Sequence, residues 1–109
     1  MSLDQFLDRE FTKTYNCGHF ATEVWSYLTG ENIEQLCTGF LNGQVKAAVS
    51  FKTKITNPIS PCLVLFKNRH NETHVGVYYK DKVIHLDAFD GVRYDSLAKF
   101  NSHKMSYYK

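Results

Sequence analysis

The stretch PCLVLFKNRHNETHVGVYYKDKVIHLDA, from Pro61 to Ala88, decides the fold of this 109-residue chain. It contains three short runs rich in Val, Ile, Tyr and Phe, over residues 62–66, 74–79 and 83–88, with polar residues between them. β-Branched and aromatic residues favour strands, and polar residues between such runs favour turns. The stretch therefore predicts three strands of one antiparallel sheet.

The sequence before this stretch has the spacing of helices. One helix is predicted to begin after Asn16, a good N-cap, and to end at Gly30, because its apolar residues recur every three to four positions. Shorter helices are predicted over residues 3–10 and 31–42, while residues 44–52 fit a helix or a strand. The helix over residues 3–10 has an apolar side made of Leu3, Phe6 and Leu7.

The end of the chain completes the predicted sheet. The turn over residues 89–91 leads to a short helical stretch over residues 96–100 and a last strand over residues 105–108. Helices come first and strands second, an order typical of α+β domains. Since there is no repeat and no linker, residues 1–109 are predicted to be a single domain, with amino-terminal helices packed on an antiparallel β-sheet.

Composition argues against two classes of function. Lys and Arg number 13 against 11 Asp and Glu, and this excess of +2 is too small to predict nucleic-acid binding. No apolar run exceeds the five residues 62–66, against the ~20 of a membrane span. The acidic start is unlike a signal peptide, and three cysteines without a Cys-x-x-Cys pair predict reduced thiols. We expect Cys37 and Cys62 to pack in the core.

Cys17 is the first candidate for chemistry. It is predicted at the start of the helix after Asn16, in the centre of the apolar stripe, where the helix dipole lowers the pKa of a thiol. The position suits either a small core hydrophobe or a nucleophile. His19 falls on the opposite side of this helix, so we expect it at the surface. His70 and His103 have loop-like, polar surroundings and are expected to have no special role.

His74 and His85 lie on two neighbouring predicted strands. They share one face of the sheet if the loop between the strands has an even number of residues. A loop over residues 78–81 would place His74 directly opposite His85, whereas a tight turn at residues 81–82 would separate them by four positions. A thiol at a helix start, a strand histidine and a second polar residue are the nucleophile, base and orienter of cysteine hydrolases.

Several motifs of the chain resemble the NlpC/p60 family of papain-like cysteine peptidases. Asn16-Cys17-Gly18-His19-Phe20-Ala21 is similar to the Asp-Cys-Ser-Gly-Phe helix start of that family. Residues 61–66 resemble its Pro-Gly-Asp-Leu-Val-Phe-Phe strand, and residues 74–78 resemble its His-Val-Gly-Ile-Tyr strand. The surroundings of Tyr15, Thr29-Gly30 and residues 107–109 look most like the small phage-tail branch.

The resemblance implies a papain-like domain with a Cys-His-His triad. Cys17 would be the nucleophile, His74 the base and His85 the third polar residue, and the longer hairpin loop is favoured. The backbone N–H of Cys17 is a natural oxyanion donor, with Tyr15 as a second candidate. We expect no cofactor and no metal.

The implied substrate is an amide bond in the stem peptide of bacterial peptidoglycan, cleaved during cell-wall penetration. Phage tail-tip or hub proteins would be the partners, and the virion would be the location after assembly in the host cytoplasm. We expect delivery by such an assembly, because a domain of 109 residues leaves no room for wall binding and no signal peptide is recognisable.

Three alternatives use the same residues. The first is a structural tail-tip protein with a peptidase-like fold and no activity. The second is an amidase or acyltransferase that uses the same Cys-His pair on another carbonyl. The third is a zinc site of Cys17, His19, His74 and His85, which is disfavoured because Cys17 and His19 project from opposite sides of one helix.

Overall fold

One α-helix and six strands make up the part of the chain that the computed structural model describes, residues 3–33, 52–67, 73–100 and 105–109. The elements are α1 (Cys17–Thr29), β1 (Lys54–Ile55), β2 (Cys62–Lys67), β3 (Thr73–Tyr79), β4 (Lys82–Asp87), β5 (Gly91–Ser96) and β6 (Ser106–Tyr108). Neighbouring strands are antiparallel and follow the order β1-β6-β2-β3-β4-β5. The predicted α+β class, with a helix on an antiparallel sheet, is confirmed.

The ends of α1 confirm the helix predicted after Asn16. The Asn16 side chain accepts hydrogen bonds from the N–H groups of Gly18 and His19, at 2.9 and 3.3 Å. The Nδ1 atom of His19 accepts the Asn16 N–H at 3.1 Å, which completes a reciprocal cap. Gly30 ends the helix with a φ of 79°, a left-handed conformation that glycine adopts without strain.

Two of the shorter predicted helices are single 3₁₀ turns. The first covers Asp4–Phe6, with Leu3 and Phe6 buried and Leu7 55% exposed. The predicted apolar side is therefore wrong at Leu7, because residues three apart share a side in a 3₁₀ turn and residues four apart do not. The second turn covers Leu97–Lys99.

Four of the six strands correspond to predicted ones. β2, β3, β4 and β6 agree with the sequence pattern to within a residue or two, whereas β1 and β5 are not among the predicted elements. In β5, Arg93 and Asp95 alternate with apolar residues, and charged residues are a weak signal for a strand. The predicted helix over residues 31–42, apart from its first three residues, lies outside the described residues, as do Cys37, His70 and His103. Residues 31–33 are not helical.

The sheet has two faces with different neighbours. The helix face is the one on which α1 packs, mainly over β3 and β4. Its buried side chains on the strands are Leu63, Leu65, Val75, Val77, Ile84 and Leu86. The histidine face lies on the other side of the sheet. Its core cluster consists of Cys62, Val64, Phe66, Val83 and Tyr107, and His74 and His85 contact Phe66 there.

The segment before α1 shows which way the helix runs across the sheet. This segment lies antiparallel to the helix, since the Phe6 ring packs edge-on against Tyr27, 5.5 Å between centroids, and Tyr15 stacks on His19 at the helix start. The first described residue of this segment, Leu3, accepts a hydrogen bond at its carbonyl oxygen from the Tyr94 hydroxyl at 3.0 Å.

Leu3 also lies beside the turn between β3 and β4, where it lines a small cavity with Tyr79, Lys80 and Lys82. The end of α1 is therefore directed towards this turn. The start of α1, with Cys17, is directed towards the opposite end of the sheet, where β3 begins and β4 ends.

Candidate active site

The hairpin of β3 and β4 determines how the two histidines meet. Tyr79 pairs with Lys82, so the turn contains only residues 80–81, whose φ angles are positive at 48° and 68°. Such two-residue turns match the twist of the sheet. The longer loop favoured by the resemblance is therefore wrong, and so is the tight turn at residues 81–82. His74 and His85 share a face, but they lie two positions apart rather than directly opposite.

Gly76 makes room for this contact between the histidines. A Cβ atom at this position would lie 2.9 Å from Val83 Cγ1, 3.0 Å from the Ile84 carbonyl oxygen and 3.2 Å from His85 Cβ. Only glycine fits such a close approach of two strands. The His74 and His85 rings then meet across it, perpendicular to each other with centroids 5.5 Å apart.

The His74 ring has a defined orientation. It is buried, and its Nε2 atom lies 2.8 Å from the carbonyl oxygen of Leu86. A carbonyl only accepts, so Nε2 carries the proton and Nδ1 holds the lone pair of the neutral ring. The resemblance assigns the role of orienter to His85, whereas His74 Nε2–H donates this hydrogen bond to a backbone carbonyl, which no residue-type pattern could have indicated.

His85 is the second buried imidazole. Its Nε2 atom lies 2.9 Å from Asp95 Oδ2, whereas its buried Nδ1 has no hydrogen-bond partner among the described atoms. Burial lowers the pKa of His85 more than the Asp95 carboxylate raises it. The neutral ring therefore donates its Nε2–H to Asp95.

Asp95 is a functional candidate that the sequence reasoning missed. It lies on β5 opposite Val83 and receives the Nε–H of Arg93 at 2.8 Å, a second Arg93 N–H at 3.0 Å and Lys99 Nζ at 3.2 Å. These cations, Arg93 above all, hold the pKa of Asp95 well below its usual range. The available signal was the alternation of charged and apolar residues in β5, which a sheet places on opposite faces.

Asp87 adds a second carboxylate near the histidines. Burial alone would raise its pKa, but hydrogen bonds from the N–H groups of Phe89 and Asp90, at 2.7 and 3.0 Å, and the nearby imidazoles of His74 and His85 lower it. The carboxylate is therefore charged near neutral pH. A negative charge beside an imidazole favours its protonated form.

Cys17 is buried in the first turn of α1, and its predicted position facing the sheet is confirmed. Its side chain belongs to the core cluster of the helix face, whereas His74 and His85 lie on the histidine face. The structure thus brings the two histidines into contact. It places Cys17 in the first turn of α1, at the end of the sheet where β3 begins and β4 ends.

Tyr15 and His19 flank the start of α1. His19 is half-buried rather than fully at the surface, because its ring caps the helix and stacks on Tyr15 with 5.8 Å between centroids. The Tyr15 hydroxyl is buried without a well-formed hydrogen bond to the described residues. Burial, together with the negative charge of Glu23, raises the pKa of Tyr15. The phenol is therefore protonated and able to donate a hydrogen bond.

A cavity of about 360 Å³ opens beside the start of β3. It is lined by Lys54, Leu65, Phe66, Lys67, Thr73, Ser106 and Tyr108. Alternation places most of these side chains on the helix face, on strands beside those over which α1 mainly packs. The lining contains two ammonium groups and no carboxylate, so the cavity suits an anionic group.

Two further properties of the described residues concern metal binding and membrane crossing. Within residues 3–33, 52–67, 73–100 and 105–109, no three His, Cys, Asp or Glu side chains are arranged to hold a metal ion. None of the helices in these ranges has the length and hydropathy needed to cross a bilayer.

No protein-family model matches the chain, and no curated protein matches it.

Proposed function

We propose that this protein is a papain-like cysteine hydrolase that cleaves an amide bond of the peptidoglycan stem peptide at the tip of a phage tail. The resemblance of the motifs at residues 16–21, 61–66 and 74–78 to the NlpC/p60 family supports the proposal. The observation that carries it is the His74 ring, whose hydrogen bond to Leu86 leaves Nδ1 as the base at the end of the sheet where α1 begins.

The proposed reaction has two stages. In the first, His74 Nδ1 takes the proton of Cys17, and the sulfur attacks the substrate carbonyl carbon. The C–N bond then breaks, and His74 returns the proton to the leaving amine. In the second, His74 deprotonates a water molecule that hydrolyses the thioester and regenerates the thiol. The Cys17 N–H and the protonated Tyr15 phenol are the candidate donors to the oxyanion.

The cavity beside β3 supports an acidic peptide as the substrate. Stem peptides carry free carboxylates, and Lys54 and Lys67 supply positive charge in this cavity. The Lys67 ammonium also donates to the Thr73 hydroxyl at 2.7 Å, which holds it next to the strand that carries His74. Substrate bound there would lie on the same face of the sheet as Cys17.

The proposal requires the Cys17 sulfur to lie within reach of the His74 Nδ1 atom beside the start of β3. A thiolate-imidazolium pair reacts rapidly with iodoacetamide at about pH 6, where an ordinary thiol is protonated. We expect His74→Ala to slow alkylation of Cys17 by at least about tenfold at this pH. The control is His19→Ala, which we expect to leave the rate unchanged. Mass spectrometry of the peptide that contains Cys17 separates it from the other cysteines.

The same variants test the activity itself. Cys17→Ala and His74→Ala should abolish lysis of purified cell walls while circular dichroism shows an intact fold. His85→Ala should reduce lysis less severely, and His19→Ala should retain it. Unchanged lysis in both Cys17→Ala and His74→Ala would disprove the hydrolase.

A structural tail-tip protein without activity is the second candidate, because Cys17 packs in the hydrophobic core, as a purely structural cysteine would. It predicts slow alkylation of Cys17 that is independent of His74, and no lysis. An amidase or acyltransferase would instead retain the fast alkylation. Adding an amine acceptor and searching for the acylated product distinguishes transfer from hydrolysis.

The tail hydrolase and the structural tail-tip protein are both expected to be part of the virion. Mass spectrometry of purified particles should detect its peptides together with tail-tip or hub proteins. Their absence from intact particles would contradict the location, but would leave the chemistry of Cys17 and His74 to the alkylation experiment.

A further inference from the structure

The histidine face contains more buried polar groups than a Cys-His-His triad uses. His74, His85, Asp87 and Asp95 are each at most 7% exposed. We infer that Asp95 is a positioning residue of the proposed hydrolase, which holds the neutral His85 ring in the tautomer and orientation that support the His74 base. This inference rests on the proposed function.

The first step of the argument is that the Asp95 carboxylate is held rigidly. Its Oδ2 accepts from His85 Nε2 and Arg93 Nε, at 2.9 and 2.8 Å, and its Oδ1 accepts from Arg93 and Lys99, at 3.0 and 3.2 Å. Four donors use the lone pairs that the two oxygens present. Rotation of the carboxylate would break several charge-assisted hydrogen bonds at once.

The second step is that this carboxylate selects the tautomer of His85. A carboxylate that already binds Arg93 and Lys99 acts only as an acceptor, so the facing nitrogen, Nε2, must carry the ring proton. His85 Nδ1 is then left as the lone-pair nitrogen, and this buried atom has no hydrogen-bond partner among the described residues. Without Asp95, the ring has no buried acceptor at Nε2 that would favour this tautomer.

The third step connects His85 to the base. The two imidazoles are perpendicular with centroids 5.5 Å apart, and Phe66 packs against both, at 5.3 Å from His74 and 5.1 Å from His85. The Phe100 ring lies 6.1 Å from His85 and 4.8 Å from Phe66 between centroids. Rotation of His85 in this close packing would displace His74 as well.

Burial keeps the His85 ring neutral against the carboxylates of Asp95 and Asp87, which raise its pKa, while Arg93 lowers it. Asp95 and Arg93 on β5, Asp87 on β4 and His74 on β3 face it. If His85 were protonated, its charge would oppose the protonation of His74 that amide cleavage requires. Asp95 thus binds the neutral His85 through a hydrogen bond, and leaves protonation to His74.

The test compares Asp95→Asn with Asp90→Asn. Asp90 also pairs with Arg93, at 3.4 Å, but at the more exposed rim of the network. For cleavage of soluble muropeptides we expect Asp95→Asn to lower kcat on the order of tenfold with KM changed less than about twofold, and to alter the pH profile of kcat. Asp90→Asn should keep both constants within about twofold. Equal constants in Asp95→Asn and the wild type would overturn the inference.

Nuclear magnetic resonance gives a readout that does not depend on activity. The ¹⁵N chemical shifts of His85 should show the Nε2–H tautomer in the wild type and a mixture in Asp95→Asn. If Asp95→Asn does not fold, the wild-type spectrum still decides, because an Nδ1–H tautomer of His85 would overturn the inference. Activity retained in Cys17→Ala would instead disprove the hydrolase, whatever the His85 spectrum shows.

Discussion

The two faces of the sheet use burial in different ways. On the helix face, apolar side chains such as Phe20, Val75 and Leu86 are completely buried between α1 and the strands. On the histidine face, Phe66 and its apolar neighbours enclose imidazoles and carboxylates. Burial of apolar area stabilises a core without requiring a particular orientation of each side chain, whereas each buried polar group needs a partner in a defined direction.

This difference shows where the fold and the chemistry are located. Among the described residues, most of the apolar core lies on the helix face, whereas the buried histidines and carboxylates lie on the other face. Burying such groups is costly unless they are paired, and here hydrogen bonds connect His85, Asp95 and Arg93. Polar clusters of this kind are typical of functional sites.

The largest expected effect is on the helix face. Phe20→Ala should lower the free energy of unfolding by about 3–5 kcal/mol, because a fully buried ring leaves a cavity. Denaturant-induced unfolding measures the loss. The control is Phe89→Ala, at a ring that is 66% exposed, with an expected change within about 0.5 kcal/mol. Equal losses in the two variants would show that α1 does not pack on the sheet through Phe20.

The second largest effect is expected at Gly76, which permits a close contact between β3 and β4 on the histidine face. Gly76→Ala should destabilise the protein by about 1–3 kcal/mol, since the added methyl group meets Val83 and the Ile84 carbonyl. The resonances of the His85 ring should shift as well, because its Cβ lies 3.2 Å from the new atom. An unchanged unfolding midpoint would contradict this register of β3 and β4.

A smaller loss is expected at the cap of α1. Asn16→Ala should lower the free energy of unfolding by about 1 kcal/mol, because two backbone N–H groups lose their acceptor. His19→Ala removes the reciprocal half of the cap and should destabilise the protein less. Thermal unfolding compares the two variants. A larger loss in His19→Ala would indicate that His19 does more than cap the helix.

The smallest expected effect is the dependence of the free energy of unfolding on pH that comes from His85. The pKa of His85 is lower in the folded protein than its ordinary value of 6.5, so folding favours the neutral ring. The stability from His85 is therefore fully present above 6.5, and it is lost as the pH falls from 6.5 towards the lowered pKa. Titration of the His85 ring protons by nuclear magnetic resonance gives this pKa. A value above 6.5 would mean that the Asp95 carboxylate outweighs burial.

Local signals made much of the fold predictable. Asn16 and Gly30 bound α1 because capping and a left-handed C-terminal residue involve only neighbouring residues. The apolar runs identified β2, β3, β4 and β6 for a similar reason. The strand β5 was not predicted, because burial of its charged residues is favourable only when they pair with residues of other segments, as Asp95 does with His85.

The sequence by itself determined that His74 and His85 lie on neighbouring strands and share a face of the sheet if the turn between them has an even length, because side chains alternate along a strand. It also determined the apolar side of α1 that carries Cys17. Only the tertiary structure decided the two-residue turn, the pairing that brings Asp95 to His85, and the face that α1 covers. These features depend on contacts between distant segments, and a shift of register or a change of face alters no local pattern of residues.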